Sequence, residues 1–157
     1  MFRTLLVPLD GSPLSETALP LAAAVARRAG AVLHLVHVAH PSATPIFVEG
    51  LPVIDEQLHS LGECHDRAYL ELVAERLRRE GPLEIVITTL GQLSPGDEAP
   101  PVATQLANHA VAVCADLLVM TTHGWGGVTR FWLGSVAEAL VRLCPTPVLL
   151  LRSSDEE

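Results

Sequence analysis

The chain has 157 residues, 49% of them hydrophobic, and 10 Lys and Arg against 18 Asp and Glu, for a net charge of −8. This is about one domain's length, enough for a real core and too apolar for a disordered chain. The acidic balance argues against a nucleic-acid surface, which needs many Lys and Arg contacts to phosphates. No apolar run approaches the roughly 20 residues that span a bilayer, so no membrane association is expected.

Residues 3–9 read as a first strand, closed by Asp10-Gly11-Ser12. The apolar stretch between Arg3 and Asp10 is too short for a signal peptide, so a cytoplasmic location is expected. A helix is predicted over 13–29, with Ser12 as cap, Pro13 at its first position and Gly30 closing it. Pro20 lies inside this helix and should kink it. Residues 31–38 form the second strand-like run. The connection 39–54 follows, with Pro41, Pro45, Gly50 and Pro52 around Ile46, Phe47 and Val48. It is longer than compactness requires, and reads either as a flap over a ligand or as a variable surface excursion.

The second helix is expected over about 55–80, with Leu58, Leu61, Ala68 and Leu72 at helical spacing before Gly81-Pro82. A third strand at 83–90 leads into another long connection, 91–100, carrying Gly91, Pro95, Gly96 and Pro100. The third helix, about 101–114, puts Val102, Leu106, Ala110 and Val113 on one face. A fourth strand at 116–120, a fourth helix after Gly134 and a fifth strand at 146–151 complete the chain. The strands are nearly continuous in apolar character, as strands buried on both faces of a parallel sheet must be. Their alternation with helices implies right-handed crossovers and a doubly wound, Rossmann-like α/β fold with helices on both faces. Residues 1–152 are expected to form one domain and 153–157 a short acidic tail.

The chemistry concentrates after the fourth strand. Thr121-Thr122-His123-Gly124, nine further residues and Gly134-Ser135 form a glycine-bearing loop between a strand and a helix. Free backbone N–H groups at a helix start, added to the helix dipole, suit a phosphate. The Ser135 hydroxyl can cap that helix or bond a phosphate oxygen. An ordinary strand-to-helix loop with a serine cap fits the same residues. There is no Walker-type loop, no nucleophile elbow and no carboxylate pair with an evident role.

This segment resembles the nucleotide loop of the universal stress protein family: Gly, two residues, Gly, nine residues, Gly, then Ser or Thr. Gly124, the spacer 125–133 and Gly134-Ser135 match, while Thr121 replaces the first glycine. The opening Leu5-Leu6-Val7-Pro8-Leu9-Asp10-Gly11-Ser12 and the ending Pro145-Thr146-Pro147-Val148-Leu149-Leu150-Leu151 are similar to the family's first and last strands. The resemblance implies five strands in the order 3-2-1-4-5 and ATP, held with Mg²⁺ mainly through its phosphates. It places Asp10 near the ribose and metal–phosphate region, the Val38 backbone at the adenine edge, and Pro8 and the Val38 side chain as apolar walls. Thr121, Gly124, Gly134, Ser135 and Val136 then belong to the phosphate loop, with His123 and Arg130 the nearby cationic candidates. Asp10 reads equally as a turn residue bonding its own backbone. Thr121 is strained if its position needs a positive φ, and comfortable if it ends a strand.

The resemblance implies a nucleotide-binding regulatory protein of the stress response rather than an efficient enzyme. Two alternatives stand beside it: a scaffold that does not bind ATP and works as a homodimer, and a weak Mg-dependent ATPase. The strand 146–151 is the expected sheet edge and dimer contact. Cys64, Cys114 and Cys144 read as small core hydrophobes in a reducing compartment, with Cys64 the better candidate for a reactive thiol. His37 and His40 stand at three-residue spacing, but His34 and His37 lie in a strand with no cysteine or carboxylate partners at ligand spacing, so no metal site is expected. Trp125 and Trp132 read as core or interface packing.

Overall fold

The structure, a computed structural model, describes residues 1–39, 46–48, 51–53, 56–91, 100–122 and 134–152, and only the backbone of 46–48, 51–53 and 56–63. Its strands are β1 (Thr4–Leu9), β2 (Val32–Val38), β3 (Ile46–Val48), β4 (Leu51–Val53), β5 (Ile85–Leu90), β6 (Leu117–Thr122) and β7 (Val148–Arg152). The helices are α1 (Pro13–Glu16), α2 (Leu19–Ala29), α3 (Glu56–Arg79), α4 (Val102–Ala112) and α5 (Ser135–Leu143). Five strands pair in parallel in the order β5-β2-β1-β6-β7. Counted along the chain, this is the 3-2-1-4-5 order that the resemblance implies.

Alternation along the central strands supplies a core on each face. Leu5, Val7 and Leu9 point to one side, with Leu33 and Leu35 of β2, and pack against α2 and α3 through Ala22, Ala26, Leu70 and Leu77. Leu6, Val36 and Leu118 point to the other side and pack against α4 and α5 through Leu106, Ala110 and Leu140. Both faces of β1 are therefore apolar, which is why its sequence shows no polar alternation.

The helix expected over 13–29 is two helices. A continuous helix would need the Pro20 N–H to reach the Glu16 carbonyl, and proline has none. The chain instead closes α1 with short-range bonds, Thr17 N–H to the Leu14 carbonyl and Ala18 N–H to that of Ser15, and restarts at Leu19. Gly30 ends α2 in the left-handed conformation (φ 65°), with Ala31 N–H bonding back to the Ala26 carbonyl.

Within the connection 39–54, β3 and β4 pair antiparallel, Phe47 opposite Pro52, where no strands were expected. Cys64 and Cys114 are exposed and Cys144 half-buried, so the reading of the first two as core residues is wrong. The tail 153–157, most of 91–100, Trp125 and Trp132 lie outside the described residues. Among the described residues no helix is long and apolar enough to cross a membrane.

Candidate functional site

A proline stands where the sheet opens between β1 and β6. Val32 N–H bonds the Arg3 carbonyl, and Asp116 N–H bonds that of Thr4. Backbone polar groups alternate from side to side along a strand, so the even positions of β1 face β6. Pro8 is one of them and brings no N–H to that ladder. Paired register between β1 and β6 ends at Leu6 and Leu118, while β6 continues beside β7 as far as Thr122. The two central strands part at their carboxyl ends, at the point where strand order reverses. Ligands of open α/β sheets bind there.

A cavity of about 250 Å³ occupies the gap. Pro8, Val36, Val38, Val102, Leu106 and Met120 give it apolar walls. Asp10, Ser15, Thr121, Gly134 and Ser135 give it a polar rim, and Val136 and Ala137 complete the side made by α5. Pro8, Asp10, Val38, Thr121, Gly134, Ser135 and Val136, distant in sequence, thus line one space. His123, Gly124 and Arg130 lie outside the described residues. Val36, Val102, Leu106 and Met120 were missed as site residues, because an apolar wall carries the same sequence signal as a core position. Val102 and Leu106 share a helix face, the one trace available beforehand.

Asp10 sits in a tight turn. Its Oδ1 accepts the Ser12 N–H at 2.8 Å, and its own N–H donates to Ser15 Oγ at 3.4 Å. The Ser12 hydroxyl in turn caps α1 by accepting the Ser15 N–H at 3.2 Å. Burial pushes the Asp10 carboxyl up, but the bonds from Ser12 and Ser15 outweigh it and hold the group below its usual range. Both earlier readings of Asp10 are compatible with this geometry: it bonds its own turn and also faces the cavity.

On the opposite side, α5 begins at Ser135 with Gly134 as its cap, a residue with no side chain to bond the first N–H groups. The expected Ser135 cap is therefore absent: Ser135 is the first helical residue, one position too late to cap. The first turn of a helix carries N–H donors with no intrahelical partner and the positive end of the helix dipole. Thr121 lies inside β6, and Cys114 is the one non-glycine residue with positive φ among those described. The strained reading of Thr121 is thereby excluded, and its hydroxyl donates to the Leu14 carbonyl of α1 at 3.2 Å.

Beneath the end of β1, His37 does have a carboxylate partner, contrary to the sequence expectation. Its Nε2 lies 3.4 Å from Asp66 Oδ1 of α3. Spacing along the chain could not show this, because the carboxylate arrives from another element. Among the described residues no group of three His, Cys, Asp or Glu side chains is placed to hold a metal ion.

A sequence profile of the universal stress protein family matches residues 1–152. A Thermus aquaticus relative, the universal stress protein in the QAH/OAS sulfhydrylase 3′ region, is 34% identical over 153 residues, covering 97% of this chain and 100% of its own. Universal stress protein YxiE of Bacillus subtilis is 28% identical over 159 residues, covering 97% and 100%. Among solved structures, a universal stress protein family member from Burkholderia pseudomallei superposes with a TM-score of 0.70 at 29% identity, over 96% of each chain. A universal stress protein in complex with cAMP gives 0.65 at 24% identity over 98% of each chain. One from Archaeoglobus fulgidus in complex with dAMP gives 0.62 at 20%, over 96% of this chain and 97% of its own. At these last two identities the likeness is one of fold.

Proposed function

We propose, from the premise that this chain belongs to the universal stress protein family, that it binds an adenine nucleotide between β1 and β6 and serves as a regulatory module of the stress response rather than as an efficient enzyme. The observation that carries this reading is the cavity at the strand-order reversal, apolar on its walls and bounded by Asp10 and the uncapped start of α5. A planar base suits the Pro8, Val38 and Leu106 walls, and phosphate suits the α5 N–H groups. The complexes of two similar folds with cAMP and dAMP support the adenine choice.

ATP fits with Mg²⁺ on charge grounds. Asp10 is the carboxylate among the described lining residues, and a phosphate tail beside it is repelled unless a cation stands between them. One carboxylate oxygen with substrate phosphates and water is a set that Mg²⁺ accepts. The ion would neutralise phosphate charge, and Asp10 would hold it by the oxygen that the turn leaves free. In this reading His123, Gly124 and Arg130 extend the phosphate loop.

Pairing through β7 belongs to the same proposal. It is an edge strand, and Leu149 on it is exposed. The same strand of a second chain would cover that edge in a twofold dimer. A cytoplasmic location accompanies this reading. Calorimetric titration of nucleotide-stripped protein with ATP and Mg²⁺ tests it: saturable heat supports it, and loss of that heat in Gly134→Val places the ligand at α5. No heat at two temperatures would leave the dimer scaffold in its place.

A further inference from the structure

The Leu14 carbonyl oxygen receives more donors than it can serve. Thr17 Oγ1 approaches at 2.7 Å, Thr17 N–H at 3.1 Å and Thr121 Oγ1 at 3.2 Å. A carbonyl oxygen has two lone pairs, so the third and longest bond is surplus. Removing it leaves no buried acceptor unsatisfied, because Thr17 still supplies two donors. Thr121 is also the one of these donors that lines the cavity, where it shares the rim with Gly134 and Ser135 at the uncapped start of α5.

We infer that the Thr121 hydroxyl is a displaceable donor, which leaves the Leu14 carbonyl and bonds a phosphate oxygen when a nucleotide enters. Thr121 then adds to the discrimination this site makes between a phosphorylated nucleotide and its nucleoside. The inference rests on the nucleotide reading above. A phosphate oxygen is the favoured new acceptor for two reasons. It is anionic, and hydrogen bonds to ions are shorter and roughly twice as strong as neutral ones. The first-turn N–H groups of α5, on the same rim, direct the phosphate, rather than the sugar, to this side. The exchange thus trades a weak, redundant bond for a charge-assisted one.

The test uses AMP and adenosine as probes on the full chain, stripped of nucleotide, with wild type, Thr121→Val and Thr121→Ser compared by calorimetry. Valine keeps the β-branched shape that suits a strand and removes only the hydroxyl. Thr121→Val should weaken AMP by at least about tenfold, the worth of a hydrogen bond to a charged group, and leave adenosine within about twofold. Thr121→Ser should retain the preference for AMP, and the melting temperature of Thr121→Val should stay at the wild-type value. Unchanged AMP affinity in Thr121→Val, or equal weakening of AMP and adenosine, overturns the inference while the nucleotide reading stands. Absence of AMP and ATP binding in the wild type overturns both.

Discussion

His37 of β2 bonds across the sheet to Leu9 of β1, with Nδ1 2.9 Å from the Leu9 carbonyl oxygen. A carbonyl only accepts, so Nδ1 carries the proton of this bond. The other ring nitrogen faces Asp66 of α3, and the ring meets Tyr69 of α3 edge-on, centroids 6.3 Å apart. The Tyr69 hydroxyl continues the chain to Glu16 Oε1 of α1 at 3.0 Å. Burial, with the bond to Glu16 added, pushes the Tyr69 phenol well above its usual range. One buried imidazole therefore fastens α3 to the end of β1, one residue before Asp10.

Replacing that anchor should loosen the fold as well as the site. His37→Leu leaves its shape partly filled but removes the donor to Leu9 and the partner of Asp66. A loss of about 1–2 kcal/mol is expected, seen as a lower denaturant midpoint. A midpoint equal to wild type would show that the contact contributes nothing.

Cys114 offers the opposite case. Ala115 N–H bonds the Ala110 carbonyl and Cys114 N–H bonds that of Val111, the same closing pattern that Gly30 makes after α2. Cys114 adopts φ 51° to do so, where a side chain costs about 1–2 kcal/mol. Glycine removes that cost and returns part of it as backbone entropy. Cys114→Gly should gain about 0.5–1 kcal/mol and raise the melting temperature by roughly 1–4 °C. The thiol is exposed, so no packing is lost. A lower melting temperature would contradict this account of the α4 terminus.

The gap between β1 and β6 is attributed to a missing donor, and Pro8→Ala supplies it. The variant should acquire a slowly exchanging amide at position 8 and bind nucleotide several-fold more weakly, as β1 and β6 pair further. Fast exchange at that amide with unchanged affinity would show that Pro8 does not hold the crevice open.

A second pair of histidines predicts acid sensitivity. His34 of β2 and His109 of α4 lie with ring centroids 6.4 Å apart, and among the described residues the buried His34 Nδ1 and His109 Nε2 have no hydrogen-bond partner. Burial pushes both imidazoles below the ordinary value of 6.5; His109 adds to this for His34, and Glu84 opposes it. Below 6.5 the unfolded chain therefore takes up more protons than the folded one, and stability falls as pH falls toward the folded values. The double variant His34→Gln, His109→Gln should show a flatter dependence of melting temperature between about pH 7 and 5. An unchanged slope would place the acid sensitivity elsewhere.

The sheet was legible because Leu5–Leu9 and Leu117–Met120 must be apolar on both faces, a pattern that few other elements produce. The break between α1 and α2 was half legible: Pro20 signalled a disturbance, but only the bonding of Thr17 and Ala18 shows a full restart. The β3–β4 hairpin was missed because three-residue strands with Pro52 in one of them carry little periodic signal. At the site, Asp10 and Gly134-Ser135 stood out by residue type. Met120 and Leu106 did not, since facing a cavity and facing a core select the same side chains. The His37–Asp66 contact and the crowding at the Leu14 carbonyl are relations between distant segments, and no local pattern encodes them.

The most direct measurement follows backbone amide shifts by nuclear magnetic resonance while stripped protein is titrated with ATP and Mg²⁺. Saturable shifts gathered at residues 9–10, 38, 120–121 and 134–137 are predicted, with the outer face of α3 near Leu72 unmoved. Saturable shifts that avoid those residues, or none at all, would contradict a nucleotide site between β1 and β6.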